Sequence, residues 1–111
     1  MTRNEEGLVN VVDIGRIGEE AVVNHLTSRG RSEITLSPSP YATDIQARNP
    51  HGDLQLFQVK TAVSPFTPTD LSNLEIAAIK ARAAKIGASA FAAKAQLSRR
   101  YVIQTISYLS L

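Results

Sequence analysis

Asp44, Gln58 and Lys60 are the residues of this sequence whose types and spacing could do chemistry. Gln58 and Lys60 lie in the stretch LQLFQVKTA, residues 54–62, which alternates as a strand does and so puts both on one face. A second alternating stretch, YATDIQARN at 41–49, leads into NPHGD, a turn by its proline, its glycine, Asn49 and Asp53. A hairpin symmetric about His51 sets Asp44 opposite Gln58 and Ala42 opposite Lys60. Directly opposed residues have Cβ atoms roughly 4.5–5.5 Å apart, and alternate residues along a strand are about 6.5–7 Å apart. A carboxylate, an amide oxygen and an ammonium therefore converge on one patch, in a register that a one-residue slip would destroy. Oxygens of this kind suit a hard cation, and an ammonium suits developing negative charge. The plain alternative is a half-exposed Asp44–Lys60 ion pair with Gln58 as a polar surface residue, worth about 0–1 kcal/mol.

Further elements are needed to hold that hairpin. Residues 13–30, DIGRIGEEAVVNHLTSRG, read as a helix: Ile17, Ala21, Val22 and Leu26 keep helical spacing, Asp13 is placed to cap the start and Gly30 to end it. Gly15 and Gly18 are poor helix formers, which points to a close approach there, of packed backbone or of a phosphate. SEITLS is a short strand stopped by SPSP. A helix follows from about Asp70 to Ile86, with Ser72 and Glu75 at capping-box spacing, Thr67-Pro68 as an alternative start, and Gly87 as its end. SAFAAKAQL and YVIQTISYLS read as two strands about an SRR turn, although the alanine run suits a helix as well. The order is helix, three strands, helix, two strands, an α/β class with a mixed sheet flanked by helices.

The 111 residues suit one domain, 1–111, with 1–12 as a loose N-terminal extension. With no cysteine there is no disulfide framework or thiolate metal site, and two histidines, His25 and His51, do not make a histidine-rich one. The N-terminal MTRNEEGLVNVVD lacks the apolar run of a signal peptide, and no stretch reaches membrane-span length, so a cytoplasmic chain with no membrane partner is expected. Charge is uneven: five Lys/Arg against eight Asp/Glu in residues 1–55, and seven against two in 56–111. A basic half can meet a nucleic-acid backbone or be a solvated face.

Taken together, three segments resemble the small PD-(D/E)xK nucleases. GRIGEEAVVNHLTSRG is similar to their first helix, at Gly15, Gly18, Glu19, Val22, Leu26 and Gly30; ATDIQARN to the strand carrying their aspartate, at Asp44; and FQVKTA to their (D/E)xK strand, with Gln58 in the acidic slot and Lys60 as the lysine. The resemblance spans about residues 13–107 and implies a restriction-endonuclease-like fold, found in Holliday junction resolvase-like nucleases. It implies metal-dependent hydrolysis of DNA, with Mg²⁺ (or Mn²⁺) held by Asp44, Gln58, the Val59 backbone carbonyl and Glu19, and with Lys60 orienting the attacking water or stabilising charge. Glu20 competes with Glu19, and the G-x-x-G-E spacing favours Glu19. Gln58 is the departure from the pattern: an amide coordinates without charge, so the site holds the cation less tightly. The resemblance also implies a homodimer, or a partner protein that supplies specificity. The alternative is a catalytically degenerate module of that fold that binds nucleic acid or a partner protein.

Arg16, Ser37 and Ser39 are candidate DNA contacts or plain surface residues, and Lys80, Arg82 and Lys85 a backbone-binding stripe or, as the simpler expectation, a solvated helix face. His51 reads as a turn residue.

Overall fold

The computed structural model describes residues 11–38 and 43–111. The first helix, α1, spans Val11–Ser28 and buries Val22 and Leu26. It begins two residues before Asp13, which is therefore not the cap but lies in the first turn, where a carboxylate faces the positive end of the helix dipole. Gly30 ends the helix as expected: at φ +87° it lets the Arg31 N–H reach the Leu26 carbonyl at 3.0 Å.

Three strands follow, β1 (Ser32–Pro38), β2 (Thr43–Arg48) and β3 (Leu54–Val63). They form an antiparallel meander. The β2–β3 turn is closed by Asn49, whose side-chain oxygen accepts the N–H groups of His51 and Asp53, both at 2.9 Å. That turn fixes the register, with Asp44 opposite Gln58 and Ile45 opposite Phe57. Ala42, the expected partner of Lys60, lies outside the described residues, as does Ser39.

Helix α2 spans Asn73–Ile86. Of the candidate starts, the chain uses the capping box: Ser72 Oγ accepts the Glu75 N–H at 3.1 Å and Glu75 Oε1 accepts the Ser72 N–H at 2.8 Å. Gly87, left-handed at φ 69°, ψ 34°, ends it. The helix carries the chain across the sheet to β4 (Ser89–Leu97), parallel to β3, and β5 (Ile103–Ser110) returns antiparallel to β4. The sheet order is β1-β2-β3-β4-β5, an α/β arrangement with a mixed five-stranded sheet. The alanine run is a strand because β4 lies inside the sheet. Ala90, Ala92, Ala93 and Ala95 are all buried there, between α1 on one face and α2 on the other, so the surroundings override alanine's helical preference.

Strand alternation divides the core. Ile45, Ala47, Phe57, Ala93 and Ala95 pack with Val22 and Leu26 of α1. Leu56, Ala90 and Ala92 pack with Leu71 and with Ile79 and Ala83 of α2. The α1 layer is reinforced by Phe57, stacked on Phe91 at 5.1 Å and meeting Tyr108 edge-on at 5.7 Å.

Gly18 marks where α1 comes closest to β3. A Cβ there would lie 1.8 Å from Thr61 Oγ1 and 2.8 Å from Thr61 Cβ. The close approach read from the sequence is thus helix against strand at Gly18, whereas the space around Gly15 is open. Gly18→Ala is expected to cost about 1–3 kcal/mol through overpacking, seen as a drop in thermal midpoint of about 4–8 °C per kcal/mol. Thr61→Ala in that background removes the nearest contact and should recover part of the loss. Equal melting of wild type and Gly18→Ala would refute this packing account.

Candidate functional site

The alternation that buries Ile45 and Phe57 under α1 turns Asp44, Leu56, Gln58 and Lys60 to the face covered by α2. Asp44 and Gln58 are buried there, at 3% and 4% exposure, and Lys60 is half-buried. A carboxylate in such a place needs a partner, because an isolated buried charge costs several kcal/mol. Its partner is Arg82 of α2. The guanidinium grips both carboxylate oxygens, Nη2 to Oδ1 at 2.8 Å and Nε to Oδ2. Arg82 is therefore not part of a solvated face: it turns inward, beside the core residues Ile79 and Ala83.

Lys60 does not pair with Asp44. Its Nζ donates to Glu75 Oε2 at 2.7 Å, and Gln58 Nε2 donates to the same oxygen at 3.2 Å. Glu75 thus serves twice, with Oε1 in the cap of α2 and Oε2 on the strand residues. The Lys60 ammonium first, and the Ser72 backbone N–H next, hold the Glu75 carboxyl below its ordinary value of 4.5. Beside Lys60 on the neighbouring strand stands Lys94, bonded to Asp70 in the loop before α2.

The face therefore brings together Asp44, Gln58 and Lys60, as the hairpin register requires, and adds Glu75, Arg82 and Lys94. Glu75 was visible in the sequence only as a capping residue. Val59 turns its side chain to the α1 core and follows Gln58, the partner of Asp44, along β3. Glu19 is carried by α1, on the opposite side of the sheet. A cavity of about 630 Å³ between α1 and β5 is lined by Ile17, Glu20, Asn24 and Thr105 and holds none of these groups.

The donors on the α2 face are of the kind a hard cation takes, carboxylate and amide oxygen. Their charges are already balanced, with Arg82 on Asp44 and Lys60 on Glu75. Among the described residues no three His, Cys, Asp or Glu side chains form a group able to hold a metal ion. An ion bound at Asp44 has to share that carboxylate with the guanidinium or displace it.

No protein-family model matches the chain, and no curated protein matches it.

Two outcomes follow from this pairing. Arg82→Ala strands the Asp44 carboxylate and should lower stability by about 3 kcal/mol. Arg82→Met with Asp44→Asn should lose less than the two single changes combined, and strict additivity in urea titrations would show that the pair is not coupled. The second concerns acid. Because folding depresses the Glu75 value, its contribution is fully present above pH 4.5 and is lost as the pH falls through the lower folded value. Urea midpoints of wild type should decline across that acidic window, and Glu75→Gln should decline less; parallel curves would contradict the assignment.

Proposed function

We propose that this chain is a metal-dependent nuclease of the PD-(D/E)xK type that hydrolyses phosphodiester bonds in DNA. The observation that carries this reading is the buried Asp44, directly across the hairpin from Gln58 and on the same face as Lys60. The topology supports it, since a mixed sheet flanked by helices, in the order helix, three strands, helix, two strands, is what the resemblance to a restriction-endonuclease-like core implies. A buried carboxylate gathered on one face with the partly buried Lys60, Glu75 and Arg82 also favours a working site over an incidental one.

In this reading Glu75 supplies the negative charge that Gln58 lacks, joined to the Q-x-K strand by its bonds to Gln58 and Lys60. Asp44 and Glu75, with the Gln58 amide oxygen and the Val59 carbonyl, would hold a Mg²⁺ ion, which when bound neutralises phosphoryl charge and acidifies a water. Lys60 holds the attacking water or meets charge developing on the phosphoryl oxygens. Arg82 has the planar fork that matches a phosphate as well as a carboxylate, so an arriving phosphodiester competes with Asp44 for it. Lys94, next to Lys60, adds a cation for the backbone.

A second reading, a nuclease-fold module that binds nucleic acid or a protein without cutting, is favoured by one observation: Arg82 already satisfies both oxygens of Asp44. Cleavage of labelled duplex, branched and single-stranded DNA, with Mg²⁺ and then Mn²⁺, separates the two. The nuclease reading requires metal-dependent cutting that falls by about 10²–10³-fold in Lys60→Ala and is lost in Asp44→Asn, with circular dichroism unchanged. Folded wild-type protein that cuts none of these substrates would leave the binding module.

A further inference from the structure

The two edges of the sheet are built differently. β1 is a blunted edge: it carries Glu33 at φ +51°, its register shifts between Ser32 and Thr35, and it ends in Pro38. Charge, irregularity and proline are the usual devices that keep an edge from pairing with another strand. β5, at the other edge, has neither charge nor proline, and its register shift against β4 is confined to its start, between Ile103 and Thr105. Its sequence, Ile-Gln-Thr-Ile-Ser-Tyr-Leu-Ser, contains no charge, proline or glycine, and from Thr105 to Ser110 its pairing with β4 is unbroken. Six of its eight residues are exposed, Leu109 at 58%, and Val102 just before it is exposed at 60%. Among the described residues no strand lies beyond it.

We propose that β5 pairs with the β5 of a second copy of this chain, antiparallel, to make a two-fold dimer with one continuous sheet. Charge argues for a second copy as the occupant. A two-fold contact lays one patch on itself, so a patch of a single sign repels its copy while an uncharged one does not. Residues 56–111 carry seven cations and two anions, yet residues 101–111, which contain β5, carry none. With the axis at Ile106, in the regular part of the strand, Thr105 of one copy meets Ser107 of the other, a pair that suits a sheet.

The axis of such a pairing runs perpendicular to the sheet, so both α2 faces lie on the same side. Five strand spacings separate one β3 from the other in the order β3-β4-β5-β5-β4-β3, about 24 Å. The dimer itself stands apart from the nuclease reading. Only the further inference, that two such clusters act on two backbones of one nucleic acid, rests on it.

The test needs no nucleic acid, so its failure and that of the nuclease reading are distinguishable. Light scattering should give twice the 12.0 kDa of the chain. Thr105→Lys with Ser107→Lys should give a monomer with unchanged circular dichroism. The chain has no cysteine, so a single Thr105→Cys should cross-link to itself through a short bismaleimide, while Ser32→Cys on β1 should not. A wild-type monomer at high concentration, a dimer that survives both lysines, or cross-linking through position 32 in place of 105 would each overturn the proposal.

Discussion

The grip of Arg82 on Asp44 is the constraint around which the α2 face is organised. A carboxylate that is 3% exposed on a sheet face is tolerable only if something meets its charge, and the sheet itself offers no cation at that position. The cation comes from α2, and it comes together with the helix's apolar residues. Glu75, Ile79, Arg82 and Ala83 follow the four-and-three spacing of one helix face, so the same turn of the helix that buries Ile79 and Ala83 also delivers Glu75 and Arg82. Glu75 and Arg82 are seven residues apart, about 10 Å along the axis. They meet a cation, Lys60, and an anion, Asp44, in that order. Reversing the helix on the sheet would set Glu75 toward Asp44 and Arg82 toward Lys60. The crossover from β3 to the parallel β4 already fixes the direction of α2, and the two charge pairs match that direction.

The parts of the fold that were legible in the sequence are those governed by local chemistry. The Asn49–Asp53 turn is a local hydrogen-bond pattern, and with the alternation that buries Ile45 and Phe57 it sets the register that puts Asp44 across from Gln58. The Ser72–Glu75 box and Gly87 mark the ends of α2 for the same reason. What the sequence left open depended on tertiary neighbours. Arg82 sits between Lys80 and Lys85 in an alanine-rich helix, and nothing nearby distinguishes an inward arginine from a solvated one. Only the sheet face beneath it decides. The second use of Glu75 was hidden by its first, because a capping role already explained the residue. Glu19 was chosen by its spacing from two glycines, of which Gly18 serves helix–strand contact.

The sheet also separates two kinds of work. The α1 side is a conventional layer of aromatic and aliphatic residues, including Phe57, Phe91 and Tyr108. The α2 side gives part of its area to ionised groups and has a smaller apolar cluster. Because β4 is so largely alanine, neither helix is held off the sheet by bulky side chains in its centre, and the aromatic layer supplies the burial that the α2 side forgoes.

Glu75 ties the first turn of α2 to the strand residues through two oxygens of one carboxylate. Whatever draws Oε2 away from Lys60 and Gln58 also pulls on Oε1, and hence on the Ser72 amide. Occupancy of the sheet face and fraying of the helix start are then linked equilibria. A ligand that recruits this carboxylate would register as altered hydrogen exchange at the Ser72 and Glu75 amides, on the backbone, before any larger motion of the helix.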